Sequence, residues 1–299
     1  MKKHKICKIL LVILAIFLCV AFYELLGICV AYKKQPEVSN TTKKETKNGS
    51  WNECSENTER AVIIEKNPEA LLQRVRLIKN AKKEIILSTF AFQSDESGKL
   101  ILGALHDAAD RGVHIRLLVD GMESWIDMEG NPYFYGLSSH ENVEIKLYNK
   151  ANPLKPWKMM GRMHDKYLIA DGKRYILGGR NTYNYFLGDF PGHKNYDRDV
   201  LVVCDEPEKE NSVNQLSEYF ETIWNQEDSG YFHNNKKLAN RKSVKNAVLE
   251  LQNGYQKYFE ENKERICDTD YTDETFETEK IALVSNPIHT GSKEPVVWR

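Results

Sequence analysis

Residues 9–32 are apolar apart from Glu24, and four lysines, Lys2, Lys3, Lys5 and Lys8, stand just before them. At about 1.5 Å per residue, such a helix is long enough to cross the roughly 30 Å of a bilayer's hydrocarbon core with tilt to spare. A cleaved signal peptide has a shorter apolar stretch of roughly 7–15 residues and then a small-x-small site. Tyr23-Glu24-Leu25-Leu26 is not such a site. The run therefore reads as an uncleaved anchor over residues 1–34, which gives an expected location in the cell membrane with a single pass. The lysine-rich start is held on the cytoplasmic side, so the remainder is expected outside, although Lys33 and Lys34 pull weakly the other way. An acidic residue such as Glu24 costs about 2.5–3.5 kcal/mol at mid-membrane and less off-centre.

After the anchor, residues 35–58 are rich in Ser, Thr, Asn, Lys and Glu and read as a solvated linker. From Ala61 onward, short apolar runs alternate with helical patterns. Ala61-Val62-Ile63-Ile64 predicts a strand. Residues 68–81 predict a helix, with Asn67 as N-cap, Pro68 in the first turn and Leu71, Leu72, Val75 and Ile78 on one face. Strands follow over 84–92, 113–119 and 143–147, with a helix over 100–111 closed by Gly112. Tyr167-Leu168-Ile169-Ala170, Tyr175-Ile176-Leu177 and Val200-Leu201-Val202-Val203 supply three more strands. Leu216, Tyr219, Phe220 and Ile223 then mark a helix. This alternation implies an α/β layered domain with a mixed β-sheet flanked by helices, over residues 59–230.

Beyond residue 230 the pattern weakens. Residues 260–279 hold nine acids against Lys263 and Arg265 and read as a solvated connector, before Ile281-Ala282-Leu283-Val284 predicts a new strand. Residues 231–299 are thus expected to be a connector and the start of a second lobe. With a net charge of -1 the chain is no polycation that coats nucleic acid, so any affinity for anions must come from a local patch. Six cysteines without a CxxC pair argue against a disulfide scaffold or a structural zinc site. In an exported domain Cys54 and Cys267, both in polar segments, are available to pair. Cys7, Cys19 and Cys29 belong to the anchor region, and Cys204 to the core.

One such patch exists. Nine Lys or Arg residues lie between Lys146 and Arg180, against only Asp165 and Asp171, with Trp157, Met159 and Met160 among them. Within it runs Met163-His164-Asp165-Lys166, continuing to Asp171-Gly172 and then to Gly178-Gly179-Arg180-Asn181. On a strand, His164 and Lys166 share a face while Asp165 points away. An imidazole beside an ammonium suits a phosphodiester: the cation neutralises non-bridging oxygens, and the neutral ring attacks phosphorus or moves a proton. Gly178 and Gly179 let the backbone approach a ligand, and Asn181 can donate its amide to a phosphate oxygen.

The spacing HxKxxxxD followed by GGRN resembles the phospholipase D superfamily, and His164, Lys166 and Asp171 match its HKD motif. Gly178 and Asn181 match the G-S-x-N that follows, with Gly179 where many members carry Ser. The GGRN variant, the anchor and Asp197-Arg198-Asp199-Val200 look most like the cardiolipin synthase-like branch, over roughly residues 60–230. The resemblance implies attack by His164 to form a phosphohistidine, with a second histidine protonating the leaving alcohol. Lys166 and Asn181 would hold the phosphoryl oxygens. Asp199, with Asp197 as the alternative, would fix the tautomer of the nucleophile. Asp171 would pin the hairpin turn at Gly172. No metal and no cofactor are implied.

Only one HxK occurs; His114 is followed by Arg116 instead, and His193 is a loop residue within possible reach of the site. The family places two motifs across one active site, so the expected partner is a second HKD-bearing lobe or a second copy of this chain, and an isolated chain is expected to be weakly active or inactive. The expected substrate is an anionic phospholipid in a membrane. Nucleic acid is the alternative substrate, disfavoured because a phosphate-rich polymer wants an extended basic track. An inert half-enzyme is the non-catalytic alternative.

Overall fold

The alternation of apolar runs folds as its periodicity requires, because each strand has two faces to bury and each crossover helix covers one of them. The computed structural model describes residues 2–33, 44, 59–158, 161–204, 211–233, 235–279 and 281–285. Helix α1 (Lys2–Lys33) precedes β1 (Glu59–Ile64), α2 (Asn67–Asn80), β2 (Glu84–Thr89), α3 (Glu96–Asp110) and β3 (His114–Asp120). Two short helices, α4 (Gly121–Asp127) and α5 (Pro132–Ser138), lead to β4 (Val143–Tyr148). The hairpin β5 (Lys166–Ala170) and β6 (Arg174–Gly178) is followed by β7 (Asp199–Cys204), α6 (Ser212–Trp224) and β8 (Ser229–Tyr231). Finally come α7 (Lys242–Glu261), α8 (Lys263–Cys267) and β9 (Phe276–Glu277).

Among the described residues the strands form one sheet in the order β8-β4-β3-β2-β5-β6-β7-β1-β9. β2, β3 and β4 are parallel, and the remaining pairings are antiparallel, so the sheet is mixed as expected. Strand alternation divides the core in two. Ile85, Leu87, Ile115, Leu117, Leu168, Ile176 and Leu201 join the helices of one face. Ile86, Leu118, Tyr167, Ile169, Tyr175 and Val202 meet Leu216, Phe220 and Ile223 of α6 on the other.

Helix α2 begins at Asn67, so this residue is not the N-cap. Its buried amide instead donates to the Tyr185 and Asn195 carbonyls and accepts from Arg180 Nε, which ties the helix start to the segment after β6. Tertiary hydrogen bonds have overridden a local capping preference there.

The boundary expected at residue 230 is not a boundary in packing. Leu251, Tyr255 and Phe259 of α7, Ile266 of α8 and Tyr271 lie in the same core as β2 and β3. Gly103 of α3 makes this possible: a Cβ there would meet the Leu251 carbonyl at 2.6 Å and Tyr255 Cβ at 2.7 Å. Three of the nine acids of residues 260–279 are counter-ions to the domain. Glu274 and Asp268 pair with buried Arg76 at 2.9 and 3.2 Å, Tyr271 lies 3.9 Å under its guanidinium, and Glu277 pairs with Arg60. Composition signalled solvent because the basic partners are about 200 positions earlier in the chain. Residues 281–285 are not a strand; Ile281 and Leu283 pack on the α6 core, and the Leu283 amide donates to Gln215.

Residues 4–29 of α1 are long and apolar enough to cross a membrane. Residues 4–20 are exposed throughout, whereas Ala21, Glu24, Gly27 and Ile28 are half-buried at helical spacing. That stripe faces the 150–158 loop, where Tyr23 Oη donates to the Leu154 carbonyl at 2.9 Å. Cys267 is exposed, while Cys54, Met159 and Met160 lie outside the described residues.

Candidate active site

Register assembles the site. Thr89 pairs with Lys166, Gly178 with Asp199 and Ile64 with Asp199, and Tyr167 pairs with Leu177. One step beyond that last pair, Lys166 lies opposite Gly178, so Thr89, Lys166, Gly178 and Asp199 form one cross-strand row. Residues two apart share a face, and all four are in phase with the helical-layer core through Leu87, Leu168, Ile176 and Leu201. At the centre of the row Gly178 has no side chain. A Cβ there would strike the Asp199 carboxylate and the Arg198 carbonyl, so only glycine leaves room for the Asp199 carboxylate to lie over the row.

His164 precedes the strand instead of sitting on it, because β5 starts only at Lys166. The two residues nevertheless share a site. The His164 ring packs edge-on against Phe90 with centroids 4.7 Å apart, and Lys166 Nζ is 5.3 Å from the same ring. Lys166 Nζ also donates to the His164 carbonyl at 2.7 Å. Asp165 points away, as alternation requires, and accepts from Tyr219 at 3.0 Å.

Partial burial, then the Lys166 cation, pushes the His164 pKa down to about 4, while Asp120 pulls it up and Arg162 adds the smallest push down. Burial brings Lys166 down to about 8, with Asp165 and Asp197 holding it from falling further. Between these values the imidazole is neutral and the ammonium charged, which is the state for attack on an anionic phosphorus. The linkage follows in sign. Between about pH 4 and the ordinary histidine range the unfolded chain binds the extra proton, so acid lowers stability through His164. Between about pH 8 and the ordinary lysine range the unfolded chain again binds more, so stability through Lys166 rises with pH.

The aspartates divide into three roles. Asp199 is buried; its Oδ2 meets Arg74 at 2.9 Å and Arg180 at 3.2 Å. Its Oδ1, also buried, has no hydrogen-bond partner among the described residues and lies over Gly178. Asp197 is half-exposed, and its carboxylate occupies the space where a side chain at 179 would stand. That is the physical reason for Gly179 in place of Ser: the carboxylate takes the room of the hydroxyl. Asp171 lies apart from the chemistry. It sits at the other end of β5, about 17 Å away at roughly 3.3 Å per residue. There Oδ1 accepts from the Lys83 and Glu84 amides and Oδ2 from the Lys82 amide. With φ +55° it makes the turn into Gly172 and locks the hairpin to the start of β2. Its matched position in the motif is structural.

Asn181 is buried, and its Oδ1 accepts from the Ala91 amide at 3.2 Å. The amide is thereby oriented, with its NH₂ donating to the Tyr183 hydroxyl. Arg162 was not singled out by spacing, yet it pairs with Asp120 at 2.7 Å and Glu123 at 2.9 Å and lies 5.0 Å over Phe90. Phe90, the floor common to His164 and Lys166, was equally invisible, since only the fold brings the end of β2 beside the start of β5. His193 packs on Tyr185 and meets Asn195. Among the described residues no three His, Cys, Asp or Glu side chains gather where they could hold a metal ion.

Asp197→Asn removes one of the two charges that hold the Lys166 pKa up. The expected result is an alkaline limb of kcat/KM displaced to lower pH, with an unchanged acidic limb, read from a pH–rate profile of any phosphodiester turnover. A profile superimposable on that of the parent chain would show that Asp197 does not act on this lysine.

A family model described as cardiolipin synthase, PLD-like domain, matches residues 74–224. An uncharacterized protein of Helicobacter pylori strain J99 is 30% identical over 212 residues, covering 66% of this chain and 39% of that protein. Cardiolipin synthase C of Escherichia coli K12 is 30% identical over 154 residues, covering 47% and 31%. The chain thus spans well under half the length of these curated relatives. Among solved structures, NucT from Helicobacter pylori aligns with a TM-score of 0.45 at 17% identity, over 58% of this chain and 99% of NucT.

Proposed function

From the premise that this chain belongs to the phospholipase D superfamily through a cardiolipin synthase-type domain, we propose that it is a membrane-anchored phosphatidyltransferase or phosphodiesterase acting on anionic phospholipid. The observation that carries this reading is the neutral His164 and charged Lys166 on one aromatic floor, in a row with a glycine gap and a carboxylate. His164 attacks phosphorus, the P–O bond to the leaving alcohol breaks, and the phosphatidyl group rests on the imidazole. Lys166 and the Asn181 NH₂ neutralise the non-bridging oxygens in both displacements. Asp199, held rigid by Arg74 and Arg180, presents Oδ1 as the acceptor that orients the imidazolium; Asp197 is the second carboxylate within reach of that role. The leaving alcohol takes its proton from a second histidine, supplied by another HKD-bearing lobe or a second copy of this chain. Water or an acceptor alcohol then attacks, releasing the product and the neutral histidine.

The α1 helix is the second support, since it holds the domain against the phase that contains the lipid. We place the domain on the extracytoplasmic side, from the lysines ahead of the span. A nuclease reading shares the same chemistry but gains nothing from the anchor.

The deciding experiment offers one preparation of the full chain, loaded at two copies per lipid nanodisc so that the second histidine is present, both phosphatidylglycerol and single-stranded DNA. Lipid product with intact DNA is the expected result; DNA cleavage without lipid turnover would replace this reading with the nuclease one.

A further inference from the structure

The described domain leaves four large apolar side chains in water at one end of the sheet. Trp125 and Ile126, at the end of α4, are 64% and 66% exposed. Leu154 and Trp157, in the 150–158 loop, are 78% and 36% exposed. The two segments are neighbours. Gly121, the first residue of α4, packs so closely on Tyr148 and Asn149 that a Cβ would meet the Tyr148 carbonyl at 2.5 Å. Asn149 in turn donates to the Lys158 and Gly161 carbonyls, closing the base of the loop. Arg162 bridges from there to Asp120 and Glu123 of the α4 start, while also covering Phe90 in the active site. Thus both segments leave the same end of β3 and β4, beside the opening that holds His164.

The same loop carries α1. Tyr23 bonds the Leu154 carbonyl, and Gly27 fits against Pro156 with no room for a Cβ. Residues 4–20 of α1, exposed throughout, run on from this contact. At about 1.5 Å per residue, residues 9–27, which follow the last of the four lysines, span about 28 Å, nearly the hydrocarbon thickness of a bilayer. If α1 spans, Tyr23 to Gly27 lie at the membrane boundary, and the loop docked on them lies there too. Tryptophan and leucine are the side chains that depth favours, with the lysines of the loop left at the headgroups.

We propose that Trp125, Ile126, Leu154 and Trp157 form a lip that inserts into the leaflet at which α1 ends, so that the mouth of the His164 site opens onto lipid rather than onto bulk water. The occupant of this apolar surface is the bilayer itself, continuous with the one crossed by α1. The inference rests on α1 as a true span and on lipid as the phase the site serves. Its catalytic consequence is direct: a phosphodiester headgroup reaches Lys166 without the lipid leaving the membrane.

The test uses the full chain reconstituted in vesicles whose acyl chains carry bromine near the glycerol end, a short-range quencher of tryptophan. Trp125 and Trp157 are expected to be quenched, and Trp125→Phe combined with Trp157→Phe should lower the quenched fraction at least about twofold. Leu249→Trp, on an exposed position of α7, adds emission that bromine leaves untouched. Ile126→Asp with Leu154→Asp should reduce quenching of Trp125 and Trp157 while the circular dichroism spectrum stays the same. Extraction with alkaline carbonate separates the ways of failing. A chain that stays in the membrane with Trp125 and Trp157 unquenched overturns the lip alone. A chain that carbonate releases overturns the span, and the lip with it. Cross-linking of two copies through position 126, with no quenching, assigns the surface to a dimer and also overturns the proposal.

Discussion

Arg180→Met is expected to lower the stability of the domain by roughly 3–5 kcal/mol, the range for removing one member of a buried ion-pair network. The side chain is fully buried. Its fork donates to Asn67 Oδ1, to the Ile64 carbonyl and to the Glu65 carbonyl at 3.1, 3.1 and 2.7 Å, and it pairs with Asp199. Methionine fills the volume but supplies no donor. Three acceptors lose their partner, and Asp199 keeps only Arg74 against its buried charge. For a domain of this size, the melting temperature should fall on the order of 10 °C. Arg180→Lys should recover part of the loss, since it restores a charge without the planar fork. Chemical denaturation in matched detergent measures both. A change below about 1 kcal/mol would mean that the network is not what holds β6, β7 and α2 together. Because Arg180 stands between Gly179 and Asn181, the same substitution should loosen the glycine gap and cost turnover as well.

His164→Ala is expected to behave in the opposite way, removing catalysis and leaving the fold. The residue is exposed and its ring packs edge-on against Phe90, and thermal stability near neutral pH should change little. Turnover should fall on the order of 10⁴-fold or more, as for other enzymes that lose their nucleophile. The covalent phosphoryl group trapped by acid quench of the parent chain should vanish. A variant that keeps most of its rate would refute attack by this imidazole. The pH dependence adds a second reading. With its pKa pushed to about 4, His164 makes the native state resist a proton that the unfolded chain accepts, so the variant should be less sensitive to acid than the parent chain.

Much of the fold is legible in the chain because periodicity is local. The runs at 61–64, 143–147, 167–170 and 200–203 became strands, since β-branched and aromatic residues at alternate positions leave little other choice. The HxK pair and the two glycines were legible as well, because neutral nucleophile, cation and close backbone approach are demands on residue type at short spacing. Where reading failed, the reason was distance along the chain. Asp268, Glu274 and Glu277 read as solvated in the sequence, yet Arg60 and Arg76 lie against them. Helix α7 lay beyond the supposed end of the domain, although Leu251, Tyr255 and Phe259 close the same core. Asn67 looked like a cap, but three partners from residues 180–195 claimed its amide.

The site divides along the same line. Sequence by itself determined the candidate reacting groups, His164 and Lys166, the glycine pair that follows them, and an apolar run long enough for a membrane. Only the tertiary structure decided that Phe90 and Arg162 complete the site, that Asp171 locks a turn about five residues from the chemistry, and that Asp197 fills the space of the missing hydroxyl at 179. It also decided that α1 docks on the loop beside the candidate site. Residue types and short spacings state which chemistry is available; proximity between distant segments exists only once the sheet has set its strand order and register.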